Sequence, residues 1–275
     1  MRVRPRLWPW LKGAFFDIGV ISLALVLIYF FWNNYPLWIS IIPILLCFIC
    51  IGARQHAIGV LAHDGAHKLI CSNKFINDLL TSLCFWSLGI TISGFRRFHF
   101  KHHRTVGTLD DPELKHKNHF LLGQWQPPFS WPKLILQFIG DMVGGAIPHV
   151  IMAISLNRPV SILDGMGPLL WISFWTLISW YFGFLWIPIV WFLCIYSSFW
   201  AVFRIRLWTE HVGTLETHII TVNWWQKFLF LPHNIWHHWH HHKNPSIPFW
   251  ALQEISAPTP GKTIGELFRE LSGHV

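Results

Sequence analysis

The sequence predicts an all-α integral membrane protein, with four transmembrane helices in two hairpins and a cytosolic helical cap. Three observations carry that expectation. The 275-residue chain is 53% hydrophobic and only 12% charged, about half the charged share of a soluble domain. Its apolar residues gather into four long runs. Its 18 histidines all lie outside those runs, most of them in tight clusters. The heavy use of Trp (19) and Phe (23) agrees, because aromatic side chains suit a boundary between lipid and water.

The first two runs, 14–32 and 37–53, are separated by Asn33, Asn34, Tyr35 and Pro36. About 20 apolar residues cross a hydrocarbon core of about 30 Å, so these two form a hairpin through the bilayer. The first is read as a span and not as a cleaved signal peptide, since no small-residue cleavage pattern follows it and a second span does. Residues 166–181 and 184–203 make the second hairpin, with a minimal turn near Gly183.

Positive charge sets the orientation. Arg2, Arg4, Arg6 and Lys12 precede the first hairpin; no Lys or Arg stands between Lys12 and Arg54, or between Arg158 and Arg204. Both termini and the middle segment are therefore expected in the cytosol. Two weaker apolar stretches, 79–95 and 134–154, fall within that middle segment, and the second carries Asp141, Gly144, Gly145 and Pro148. They are expected to lie in the interface or to re-enter it. Residues 1–275 thus read as a single domain, with 54–165 and 204–275 cytosolic or interfacial. The net charge of +8 is explained by a basic face on anionic headgroups and requires no nucleic acid. Cys47, Cys50, Cys71, Cys84 and Cys194 form no disulfide framework, and the Cys47-x-x-Cys50 pair sits in an apolar run as packing.

The histidines carry the chemistry. His63-Asp64-Gly65-Ala66-His67 begins about ten residues past the second run. If that helix continues, positions i and i+4 put both imidazoles on one face, while Asp64 points elsewhere and is placed as an outer hydrogen-bond partner. His99-Phe100-Lys101-His102-His103 repeats the logic at i, i+3 and i+4. The third cluster, running from His233 to His242, is over-supplied and allows several registers. Glu210-His211 follows directly on the fourth run. A lone HxxxH is common on helix surfaces, and a terminal His tract alone can be adventitious. Three helix-compatible clusters leaving adjacent spans on one side favour a metal site over chance. Eight or nine imidazoles exceed the four ligands of one zinc. They suit two transition-metal ions, and an all-nitrogen set fits iron with positions open for oxygen.

These residues resemble the histidine boxes of the membrane fatty acid desaturase superfamily, which includes lipid desaturases and carotenoid ketolases and hydroxylases. HDGAH looks like the first box and HFKHH like the second. His241-His242 leads into Lys243-Asn244-Pro245-Ser246-Ile247-Pro248, similar to the proline link after the family's third box, and this selects His238, His241 and His242. Arg204-x-Arg206, Glu210-His211 and Pro232-His233-Asn234 extend the likeness, which covers about residues 55–252. The resemblance implies His211 as an extra ligand, giving the set His63, His67, His99, His102, His103, His211, His238, His241 and His242. Asp64, Glu210, His233 and Asn234 are expected to orient these ligands through hydrogen bonds. Two departures stand out: His237 and His240 occupy positions where relatives carry other residues, and each is expected either to alter the outer hydrogen bonding or to compete as a ligand. His56 is read as packing or as an outer partner of the ligands, His116, His119, His149, His218 and His274 as surface or interfacial residues, and Asp110-Asp111-Pro112 as a turn or helix start.

The resemblance implies a di-iron centre that uses O2 and two external electrons to oxidise an unactivated C–H bond of a lipid. No catalytic residue beyond the metal ligands is expected. The reading is a lipid desaturase acting on a fatty acyl or related chain, with a carotenoid ketolase or hydroxylase as the alternative on the same scaffold. The sequence has no fused cytochrome b5-like segment and no nucleotide-binding glycine pattern, so a separate ferredoxin or cytochrome b5 is the expected donor. A His-rich metal-handling membrane protein is disfavoured, because its path would need ionisable residues within the spans. A haem cytochrome would need histidines there too.

Overall fold

The structure is a computed structural model that describes residues 3–119 and 125–273. His274 and the side chains of His116 and His119 lie outside the described residues. The chain is built almost wholly from helices: α1 (Leu7–Asn34), α2 (Leu37–Ala66), α3 (Lys74–Ser87), α4 (Ile92–Thr105), α5 (Pro112–His119), α6 (Trp131–Met142), α7 (Ile147–Leu156) and α8 (Ile162–Tyr181) come first. α9 (Trp186–Cys194), a π turn (Ile195–Phe199) and α10 (Trp200–His211) then run on as one continuous rod. α11 (Trp224–Leu229), α12 (His238–Lys243) and α13 (Ile264–Leu271) complete the chain. The one β element among the described residues is a parallel pairing of Ile220–Thr221 with Lys262–Thr263.

Four helices are long and apolar enough to cross a membrane: Leu7–Asn34, Leu37–Ala66, Ile162–Tyr181 and Trp186–His211. They contain the first three expected runs and all but the first two residues of the fourth, 184–203, and each extends beyond its run at one end or both. At 1.5 Å per residue the 30 residues of α2 reach about 45 Å, so one end projects beyond a hydrocarbon core of about 30 Å. The surplus carries the first histidine cluster. The two borderline stretches form bent pairs, α3 with α4 at 94° and α6 with α7 at 75°. A break of that size marks a broken span or a re-entrant loop; the second matches the expectation for these segments and the first does not.

Local chemistry explains the α1–α2 turn. Pro36 bars its predecessor from helical geometry, and Tyr35 is extended. Asn33 and Asn34 donate to the carbonyls of Tyr29 and Phe30 at 2.7 and 2.8 Å, and Ser40 donates to the Phe31 carbonyl at 2.9 Å. These bonds satisfy carbonyls that the helix end leaves open. Ile21, Ala24, Ile28, Cys47 and Ile51 pack between the two helices, while Leu23, Val26, Trp38, Ile42 and Leu46 stay exposed. A broad exposed apolar belt of this kind is what lipid covers. All five cysteines are free.

Two close approaches position the site. A Cβ on Gly52 would meet the backbone of Ser198 and Phe199, so α2 lies directly against the π turn, and Ser198 donates to the Phe48 carbonyl at 2.7 Å. A Cβ on Gly65 would meet the Thr81 side chain, so only glycine lets α3 pack beside the first cluster. Beyond the spans, Trp125, Phe129, Trp208, Leu231 and Ile235 form a second core with α13. α13 contributes Ile264, Leu267, Phe268 and Leu271, an i, i+3, i+4, i+7 stripe, and Thr263 with Glu266 forms its capping box.

Candidate metal centre

Four elements converge their histidines. The last turn of α2 brings His63 and His67, whose ring centroids lie 5.1 Å apart. α4 brings His99, His102 and His103, α10 ends on His211, and α12 presents His238, His241 and His242. α12 is short and follows two successive left-handed residues, His233 (φ 51°) and Asn234 (φ 56°). Left-handed backbone costs a non-glycine residue about 1 kcal/mol or more, and side-chain bonds hold it here. His233 pairs with Asp17 Oδ2 at 2.7 Å, and Asn234 donates to the Phe249 carbonyl at 3.1 Å. Asp17 also binds Arg54 at 3.0 Å, so a buried ion pair between α1 and α2 anchors the loop that delivers α12.

The nine expected ligands fall into two groups. His63, His67, His99, His103 and His241 form one, and His102, His211, His238 and His242 the other; within each, the ligating nitrogens lie within 4.8 Å of one another. In the first group the Nε2 of His99 lies 2.9 Å from that of His67 and 2.8 Å from that of His103, which is 3.1 Å from that of His241. In the second, His238 Nε2 is 3.0 Å from the Nε2 atoms of both His211 and His242. Each neutral imidazole nitrogen either donates or accepts. Three or more that face one another cannot all be satisfied by mutual hydrogen bonds. The Nε2 atoms of His63 and His102 are moreover buried without a hydrogen-bond partner among the described residues. A cation at each focus resolves the conflict. Ligands about 2.1 Å from a metal and about 90° apart stand about 3.0 Å from each other, which matches the observed spacing.

Most of the rings are poised in the ligating form; His102 is the exception, since against the lowering effect of burial Glu113 and Asp111 raise it above the ordinary value. Burial, then Arg96, pushes His67 down to about 4. Burial, then His211 and His102, pushes His242 down to about 2. Burial and neighbouring imidazoles hold His238 and His241 well below the ordinary histidine range. Neutral imidazole is the species that binds metal.

Outer contacts differ from those expected. Asp64 accepts from the Phe249 backbone N–H at 3.2 Å, and its other oxygen is buried without a partner among the described residues. It therefore ties α2 to the turn after α12 in place of holding a ligand ring. Glu210 lies 3.7 Å from His238 Nε2 and accepts from Arg206 at 2.7 Å. His233 and Asn234 shape the loop, as described, and bond no cluster histidine in doing so. His237 and His240 belong to neither group; they contact each other at 5.0 Å between centroids. His149 is fully buried and not a surface residue. His211 Nδ1 donates to the Glu216 carbonyl at 3.0 Å, which leaves Nε2 for a metal.

Asp111 and Glu113 join the site without having been expected there from the sequence. Asp111 does start α5, accepting from the Glu113 N–H at 2.9 Å, but the same oxygen also lies 2.9 Å from His102 Nδ1. That contact fixes the tautomer whose Nε2 faces the second group. Glu113 Oε2 is 3.5 Å from His102 Nε2, and Glu113 pairs with buried Lys117 at 2.5 Å. Burial alone would raise the Glu113 carboxyl, yet Lys117, His211 and His102 hold it well below its usual range. The available signal was two acids within about ten residues of HxxHH, beyond a glycine turn that folds them back.

A family model described as fatty acid desaturase matches residues 36–262. The chain belongs to the fatty acid desaturase family. No curated protein matches it. The matched region runs from the start of α2 to Lys262 and so includes every histidine of both groups. Family and geometry together fit a di-metal, desaturase-type oxidoreductase of the membrane. Such an enzyme needs room for substrate beside its metals. A cavity of about 210 Å³ meets that need, bounded by His63, His99, His102 and His238 at one side and by Phe85, Phe95 and other apolar residues elsewhere.

Proposed function

We propose that this chain is an O2-dependent di-iron lipid desaturase that introduces a double bond into a fatty acyl or related lipid chain. The observation that carries the reading is the pair of convergent histidine groups, five and four residues strong, bordering one largely apolar cavity. When bound, two irons would supply the oxidising power, from O2 and two electrons, to remove hydrogen from an unactivated C–H bond. The protein's share is binding and orientation. His63, His67, His99, His103 and His241 would hold one iron, and His102, His211, His238 and His242 the other. Asp111 keeps His102 in the ligating tautomer, and Glu216, through its carbonyl, does the same for His211. The aromatic walls exclude water and align an extended chain, which favours a defined position of attack.

The basic residues outside the spans favour a cytosolic metal centre, with electrons arriving from a separate ferredoxin or cytochrome b5. Maleimide labelling of Asn33→Cys from outside the cell and of Lys101→Cys only after permeabilisation is the expected pattern; the reverse pattern would refute the orientation. For the activity, the chain is expressed in a host with defined lipids and the products are analysed by mass spectrometry. New unsaturation that His238→Ala abolishes is the expected result. Hydroxylated or ketolated products in its place, or no histidine-dependent change, would reject the desaturase reading.

A further inference from the structure

The two histidine groups differ in their anionic surroundings. Four contacts between a histidine and a carboxylate stand among the described residues: His102 with Asp111 and with Glu113, His238 with Glu210, and His233 with Asp17. None of them involves the five-histidine group, whereas three involve the four-histidine group. Asp111 meets His102 at Nδ1, the nitrogen turned away from the metal focus, and so acts from outside. Glu113 and Glu210 instead meet Nε2 atoms that face the focus, and both acids line the cavity beside it.

The contact at Glu113 is the one that an ion explains. Asp111 accepts the Nδ1 proton of His102, so in the neutral ring Nε2 carries a lone pair. Glu113 Oε2, 3.5 Å away, carries lone pairs too, and Nε2 is buried with no hydrogen-bond partner among the described residues. Two acceptors that face each other repel unless something positive lies between them. A second ring proton would draw the pair into a charge-assisted hydrogen bond of about 2.7–2.9 Å, and 3.5 Å is too long for that. An ion about 2.1 Å from each atom bridges such a separation at an angle of about 110°. The carboxylate is already held for the role: Lys117, one turn further along α5, takes Oε1 at 2.5 Å and leaves Oε2 turned to the histidine. Glu210 stands further off, 3.7 Å from His238 Nε2, with its other oxygen bound to Arg206.

We propose that Glu113 is itself a metal ligand, joining the four-histidine group through Oε2. The inference rests on the di-metal reading and deepens it. Both ions then have five protein ligands, but they are chemically unlike: one is held by five imidazoles, the other by four imidazoles and a carboxylate. A hard, anionic oxygen at the second ion favours its higher oxidation state and sets it apart from its all-nitrogen neighbour.

The test is metal binding, read without turnover. Full-length protein, stripped of metal in detergent, is titrated with cobalt(II), whose visible bands report the type and number of its ligands. Two cobalt ions per wild-type chain are expected, with distinguishable spectra. Glu113→Gln keeps the shape of the side chain. It is expected to weaken one cobalt by at least about tenfold, the lower end for loss of even an outer partner, to move that ion's band at saturation, and to leave the other ion untouched. Lys117→Met removes the pairing but keeps the carboxylate, and is expected to retain both ions and the wild-type spectrum. Unchanged binding and bands in Glu113→Gln would overturn the proposal. Equal loss of cobalt in Lys117→Met would overturn it too, by making Glu113 a structural partner within α5. If Glu113→Gln does not fold, Glu113→Asp decides, since it retains the charge but withdraws the oxygen by one methylene; wild-type cobalt binding there would overturn the proposal. Two cobalt ions indifferent to Glu113 sink this inference alone, no cobalt in well-folded wild-type chain sinks the di-metal reading with it, and zinc in place of iron in untreated protein sinks the iron reading alone.

Discussion

At the scale of single residues, the candidate centre depends on imidazoles that stay neutral and are turned the right way. Asp111 illustrates the turning. Replacing Asp111 with Asn keeps the shape but removes the charge that holds His102 Nδ1–H. Loss of such an outer partner typically weakens metal binding 10–100-fold. Asp111→Asn is therefore expected to lose metal selectively from the four-histidine group, read as a fall toward one metal per chain, while Asp110→Asn has no effect. Equal retention by both variants would contradict the assignment. Neutrality gives a pH prediction. The buried rings of His67 and His242 sit at about 4 and about 2, against 6.5 for the free side chain. Above pH 6.5 neither folded nor unfolded chain protonates them, so nothing is lost. Below it the unfolded chain takes up protons that the folded chain refuses, and stability falls as pH drops toward 4. Thermal melts of the metal-free protein should show a falling Tm between pH 7 and pH 5; a flat profile would refute the burial of these rings. The ligands themselves were legible, because i, i+3 and i+4 spacing puts rings on one helical face whatever the fold. Asp111 and Glu113 were not, because their contact with His102 depends on a turn that returns the chain, and spacing alone does not encode it.

At the scale of elements, helix α2 does two jobs, crossing the apolar region and carrying His63 and His67 past it. The sequence showed the apolar run but not that the helix goes on unbroken to Ala66, since polar Arg54, Gln55 and His56 look like a span's end. Tertiary partners explain the continuation: Arg54 meets Asp17 and His56 meets Arg206. The π turn at Ile195–Phe199 was equally hidden, because it lies where another helix approaches at Gly52. A methyl group there would strike backbone, which cannot swing aside. Gly52→Ala is expected to destabilise the protein by about 1–3 kcal/mol and to disturb His211 at the far end of the same rod. Gly19→Ala, where nothing lies within 4 Å, should be neutral or slightly stabilising, since alanine favours the helix by about 1 kcal/mol. Comparable melting of the two variants would contradict the packing described.

At the scale of the whole molecule, the lipid-exposed belt, the bent helix pairs and the histidine groups form one arrangement. Apolar rods fix the ends from which the ligands project, and the broken pairs close the cavity beside them. Composition and the four runs made the membrane class legible. The division of nine histidines into groups of five and four was not, because it depends on how α4 and α12 are angled: His102 faces a different focus from His99 and His103, its neighbours on the same helix. The central claim is that these two foci hold two irons. Elemental analysis of the detergent-purified chain, with His102→Ala alongside, tests it most directly. Close to two irons per chain, falling toward one in the variant, is the expected result; zinc, or no metal in well-folded protein, would contradict the claim.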